Sequence, residues 1–414
     1  VTGADNTIMG ANAALATTTA AGNVVIGNDA INTGVFTGDN NVVIGKLAGQ
    51  DLTSAADNVL VGKNAGYNTT TGANNVSLGS ISLEANTTGS RNTAIGAESM
   101  NDNTTADNNT AIGYASLSKN TTGTSNTALG WAALEVNTTA SNNIAVGHAA
   151  ARSNTTGTRI TAIGYAALDG QDTENDNIAI GYNAMTTNNA GGEANVVVGN
   201  YAGDAITSGD GNTAFGHLAG TVLNTGGGNT CIGYGSGSVL TSGSDNVLIG
   251  LDAGNVSTGS NQLYIARTNG NNSVASVWIY GSATGACYQG NNDTAWSQSS
   301  DERIKKNIVN SPNGLAKIDA LKVRNFNFRT QDEVTVEGLN TSDAPGLQTG
   351  VIAQEIESVL PESVTENAHG QKEVRSDPIF WAMVKSIQEL SAKNDTLETA
   401  NTALADRITA LENA

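Results

Sequence analysis

Ser300 and Lys305, five positions apart in "SSDERIKKNI" (299–308), are a pair able to do covalent chemistry. A seryl hydroxyl attacks a peptide carbonyl when a neighbouring amine takes its proton, and a lysine does so only when desolvated enough to be neutral near pH 7. At this spacing the two share no face of a helix or strand, so a turn or a neighbouring chain must bring them together. The same stretch also reads as a helix start. Ser299 and Glu302 make a capping box, Asp301 and Glu302 fall in the first turn and Lys305 and Lys306 in the second, all favourable to the helix dipole. On the residues alone both readings stand.

Other groups able to bind or react are few. Tyr114, Trp131, His148, Tyr165 and Tyr182 stand seventeen residues apart. Stacked at a strand spacing of about 4.8 Å they would form an aromatic stripe, either a surface for a sugar ring or a packing or trimer contact. His148 and His217 hold the same place four repeats apart, too far for a shared metal. Asp169, Asp172, Glu174 and Asp176 in "DGQDTENDN" lack the spacing of known calcium loops and read as a solvated acidic turn. Cleaving a glycan takes two carboxylates roughly 5 to 10 Å apart, and matching places in successive repeats offer no clear pair, so a depolymerase is the lesser expectation. Cys231 and Cys287 read as free thiols. The expectation is therefore no metal and no cofactor.

The composition that must position these groups is unusual. The chain has 414 residues, 49 of them Gly, 4 % aromatic and 14 % charged, with a net charge of -19. That charge disfavours nucleic acid and anionic membrane as partners, because both need clustered Lys and Arg. There is no run of 18 apolar residues and no charged-then-apolar leader, so neither membrane insertion nor Sec export is expected. A start at Val1 fits a removed initiator Met or a fragment lacking an anchoring region that would join it to other proteins. Residues 1–255 hold 6 basic and 19 acidic side chains, and residues 301–414 hold 12 and 18, so a boundary lies between.

The first 255 residues repeat. Gly recurs at 10, 27, 45, 62, 79, 96, 113, 130, 147, 164, 181, 199, 216, 233 and 250, with twelve spacings of 17 and two of 18. Four positions before each stands Asn, except at Ile160, and three after stands Ala or Ser. Before the Gly come three uncharged residues, as in "NTAIG" and "NVVIG". A strand uncharged on both faces is usually covered on both. Seventeen residues suit one turn of a parallel β-solenoid, with the Asn as an amide ladder and the Gly as a bend that admits no Cβ. Fifteen rungs would run about 70 Å.

The expected organisation is mainly β. It comprises a parallel β-solenoid, or β-roll, over 1–254, a β-rich cap over 255–299, an α+β domain over 300–378 and a coiled-coil helix over 379–414. In the last, Met383, Leu390, Leu397, Leu404 and Leu411 lie seven apart, with Phe380, Ile387, Asn394, Asn401 and Ile408 as the second seam. Asn394 and Asn401 fit the role of register devices.

The "NTAIG" copies resemble the head repeats of trimeric autotransporter adhesins and the shafts of phage tail fibres, although the period is longer than the adhesins' usual repeat. "SDERIKKNI", "GLQTGVIAQEIESVLPESV" (346–364) and the heptad helix together resemble the intramolecular chaperone of phage tailspikes and fibres, peptidase S74. The resemblance implies a homotrimer whose chaperone cuts itself off once, with Ser300 and Lys305 catalytic and Asp301 and Arg303 completing the motif. It implies no activity on an outside substrate. The function implied is a trimeric virion tail fibre that attaches to a host glycan or protein receptor, with the aromatic stripe as the receptor-binding candidate. The alternatives are a trimeric adhesin on a bacterial surface and a glycan-depolymerising tailspike.

Overall fold

The computed structural model describes residues 3–15, 19–170, 172–187, 191–254, 259–266, 277–281, 287–289, 308–329, 333–334, 346–366 and 371–413. The chain divides into two compact units, Val1–Ser297 and Gln298–Ala414.

The first unit is a parallel β-solenoid of fifteen turns. Each turn contributes one three-residue strand, from β1 (Thr7–Met9) to β15 (Val247–Ile249), directly before its repeat Gly. Each strand pairs in parallel and in register with the next, as Thr127, Ala128 and Leu129 do with Ile144, Ala145 and Val146. The repeat Gly is required twice over. Gly130 has φ +140°, and a Cβ there would stand 2.2 Å from the carbonyl oxygen of Gly147 one turn on.

The Asn column behaves as a ladder of a particular kind. The backbone N–H of twelve of these Asn donates to the side-chain oxygen of the Asn one turn earlier, at 2.8 to 3.1 Å. Its amide nitrogen reaches a carbonyl at the far side of the same turn, as from Asn126 to Ala140 at 2.8 Å. These buried amides are thus satisfied along and across the coil, as burial demands. A second ladder joins Asn86, Asn103, Asn120, Asn137 and Asn154 at 2.8 to 3.1 Å. Beside it, the hydroxyls of Thr53, Thr70, Thr87, Thr104, Thr121 and Thr138 each donate to the carbonyl one turn on.

The interior is narrow, which explains how so few aromatics suffice. The middle strand residue points inward, so Ala94, Ala111, Ala128, Ala145 and Ala162 are fully buried, packed with Leu117, Leu134 and Leu168 from the following arm. The core falls into two clusters, one ending at Ala65 and one beginning at Leu83. Between them the inward strand residue is Ser77, whose hydroxyl lies 2.6 Å from that of Ser82.

The outer strand face is not covered within the chain. Leu129, Ile144 and Phe215 remain 42 %, 44 % and 56 % exposed, while Ala128, Ala145 and Ala214 on the opposite face are buried. After β15 the ladder continues in parallel into β16 (Leu263–Ala266), then turns antiparallel through β17 (Val277–Gly281) and β18 (Cys287–Gln289). Tyr264 packs onto the core at that end.

The second unit is a small β/α region with a long helix. Helix α1 (Leu315–Asp319) is followed by β19 (Arg324–Phe326), paired antiparallel with β20 (Gln348–Gly350). Helix α2 (Ala353–Glu357) leads to the antiparallel pair β21 (Val364–Glu366) and β22 (Lys372–Val374), and then to α3 (Ser376–Glu412). Ile356, Leu360 and Ala382 form its buried centre, with Ile318, Leu321, Val351, Val359, Val364 and Ile379 around them. No described helix is long and apolar enough to cross a membrane.

Candidate functional site

Ser300, Asp301, Arg303 and Lys305, with Ser299 and Glu302, lie outside the described residues. The segment C-terminal to them is built onto the long helix. The Leu315 amide donates to the Glu389 carboxylate of α3 at 2.9 Å, and that carboxylate lies close against Gly314. Arg324 makes a two-pronged pair with Glu355, at 3.0 and 2.6 Å. Each partner moves the other, Glu355 below the usual carboxylate range and Arg324 upward, through hydrogen bond and charge.

The proposed seam residues Met383, Ile387, Leu390, Leu397, Leu404, Ile408 and Leu411 fall on the 37-residue helix α3, and all are exposed. Exposed large apolar side chains at heptad spacing are costly on a lone helix, and association with like helices removes that cost.

The aromatic residues do come together. Ring centroids are 6.3 Å apart from Tyr114 to Trp131, then 4.6, 4.9 and 5.0 Å through His148, Tyr165 and Tyr182, all within 16° of parallel. In-register turns place one ring over the next, so inner rings face their neighbours and the column presents edges to solvent. The tyrosines and Trp131 are more than 40 % exposed. The phenol pKa of Tyr114 is raised by the charge of Glu98 and by a hydrogen bond to it.

The column is longer than its spacing suggests. Tyr201 stacks edge-on to Tyr182 at 5.3 Å and 61°, and His217 and Tyr234 carry it onward, the last pair parallel at 5.1 Å. Tyr201 escapes the periodic reading because this spacing is 18 residues and the ring sits two places after Gly199. His217 and Tyr234 were on register and needed only that bridge.

The acidic turn does not converge on one point. Asp169 approaches Arg152 at 3.4 Å, Asp176 pairs with Arg159 at 2.6 Å, and Glu174 folds back onto the amides of Asp172 and Thr173, both at 3.1 Å. Arg159 holds the Asp176 carboxyl below its ordinary range, while burial pushes Asp169 up against the opposing pull of Arg152 and His148. Among the described residues no three His, Cys, Asp or Glu side chains are grouped to hold a metal ion. Cys231 is a buried free thiol, pushed up to about 12 by burial.

Residues 300–365 match the family model Peptidase_S74, described as chaperone of endosialidase. Such domains are typical of phage tail fibres and endosialidases and act in trimeric proteins. No solved structure matches the chain. With fifteen coil turns ahead of that match and a 37-residue helix behind it, the chain carries a C-terminal peptidase S74 chaperone domain after a parallel β-solenoid.

Proposed function

We propose that the chain is one subunit of a homotrimeric phage tail fibre that attaches the virion to its host. On this reading residues 300–378 are the chaperone that assembles the trimer, 379–414 the coiled coil that aligns the chains, and 1–254 the shaft. The observation that carries it is the uncovered apolar face along the solenoid strands. A face of this kind is stable in water only when another surface removes it from solvent. Two further copies of the same coil, with the same turn spacing, fit it along its length. The exposed seam on α3 supports parallel association independently.

Once the trimer has formed, the chain is cut beside Ser300, with Lys305 as base and Asp301 and Arg303 holding the segment. Burial of Lys305 on assembly lowers its pKa by desolvation and makes it able to take the Ser300 proton. Loss of the chaperone then leaves a shaft that is kinetically hard to reform once unfolded. The aromatic column Tyr114, Trp131, His148, Tyr165 and Tyr182 is the receptor contact, offering ring edges and polar tips to a cell-surface glycan or protein.

Expression of the chain with and without its C-terminal unit tests the reading. A soluble trimer formed only when residues 300–414 are synthesised with the shaft is expected, and a shaft that trimerises equally well alone contradicts it. Purified fibre should bind host cells without releasing reducing ends from their glycan; release would mark a depolymerase.

A further inference from the structure

One turn of the solenoid breaks its own rules in the interior. Fourteen turns have Asn four places before the repeat Gly, and the tenth has Ile160. The amide nitrogen of each Asn, where its bond is described, reaches a carbonyl 13 to 15 residues on, as Asn143 reaches Gly157 at 2.9 Å and Asn195 reaches Gly209 at 2.9 Å. Every residue in that acceptor column is Gly or Ala except the one belonging to Ile160, which is Glu174. The two departures are therefore a matched pair at one level of the coil.

Both are buried, Ile160 to 1 % and Glu174 to 3 % exposure. Ile160 still gives its backbone N–H to Asn143 at 3.1 Å, but its side chain has no oxygen to accept from the turn above. Glu174 spends Oε2 on amides of its own turn. The second Asn ladder ends at the same level, where the side-chain oxygen of Asn154 is buried without a partner. Just beyond, the spacing from Gly181 to Gly199 is 18, and the ring column tilts by 61° between Tyr182 and Tyr201. Two ion pairs, Arg152 with Asp169 and Arg159 with Asp176, cross this level on the outside. The Arg159–Asp176 pair is exposed and contributes little, and the Arg152–Asp169 contact is set against the burial of the Asp169 carboxyl.

We infer that the tenth turn, around Ile160 and Glu174, is a joint built into the rod, the level at which the solenoid opens first and divides into two cooperative segments. Nearest-neighbour coils unfold where the coupling between adjacent turns is weakest, and here two interior hydrogen-bond ladders are interrupted together. An oxygen left unpaired in the interior weakens that coupling further. A rod with one such level yields there under load while the turns on either side stay wound.

Hydrogen–deuterium exchange on the full chain tests this by comparing residues 155–177 with residues 104–126, which occupy the same positions three turns earlier. Exchange at least about tenfold faster is expected in the later segment. The double variant Ile160→Asn with Glu174→Gly, which restores the repeat, should slow 155–177 to the rate of 104–126. Equal rates in the parent chain overturn the joint. Fast exchange in the parent that the double variant leaves unchanged overturns its assignment to this pair.

Discussion

The imidazole of His148 lies 4.6 Å from the ring of Trp131 and only 13° from parallel. Two side chains seventeen residues apart stack because their turns are in register, and the next turn places Tyr165 against the other face of the imidazole. The proposed receptor contact at this column would therefore meet edges and polar tips. Replacing Trp131 and Tyr165 by Ala removes two rigid anchors, and attachment to host cells should fall by about tenfold or more with the trimer intact. Unchanged attachment, or loss of the trimer, would make the column a packing element.

The repeat Gly carries a sharper prediction. At Gly130 an Ala needs a backbone of φ +140° and a Cβ 2.2 Å from a carbonyl oxygen, so something must shift. Gly130→Ala should cost about 3 kcal/mol, read from chemical denaturation. Ala at Gly191, where φ is +105° and no atom lies within 4 Å, meets only the backbone strain and should cost less. Equal losses at both sites would remove the close-approach argument.

Acid sensitivity arises from the ion pairs. Asp176 is held below its ordinary value of 3.8 by Arg159, so its stabilisation is present above that value and lost as pH falls through the lower folded value. Asp169, raised by burial, has the opposite sign, and its cost is relieved as the medium turns acid. Arg159→Ala should flatten the loss of melting temperature between pH 7 and about pH 3. The effect is modest because the pair is exposed, and an unchanged pH profile would show that Asp176 gains nothing from Arg159.

The period alone specified strand positions, the bend and the Asn column, because a coil whose turns stack must repeat whatever its interior requires. It left the strand's orientation open. In "TAI" all three residues are uncharged, and only the narrow core explains why Ala111 goes inward and Ile112 outward. The outer face proved uncovered within the chain, so the expectation of cover on both sides is not met by one copy alone. Tyr201 was hidden because its repeat is one residue longer and its ring stands two places after Gly199 rather than one. The partners of the Thr column are backbone carbonyls, which no side-chain pattern reveals. In the second unit the heptads were legible, but the contact of Glu389 with Leu315 joins residues 74 apart and has no local signature.

The proposed cleavage depends on two side chains that are inert in an unfolded chain. A Lys at its ordinary pKa of about 10.4 is almost wholly protonated at neutral pH, and a seryl hydroxyl beside it is a poor nucleophile. The parent should run as two fragments on a denaturing gel, whereas Ser300→Ala and Lys305→Ala should each run as a single 42.0 kDa chain while remaining trimeric in solution. A parent that stays full length after assembly would leave Ser299 or Ser300 as a helix cap and the chaperone as a permanent tip.

On the proposed reading three copies cover one another's apolar strand faces, which fixes the mass of the folded particle. Light scattering on the Ser300→Ala chain at micromolar concentration should give three 42.0 kDa chains per particle, unchanged on dilution over a hundredfold range. A stable, folded monomer under the same conditions would contradict the trimer and with it the fibre.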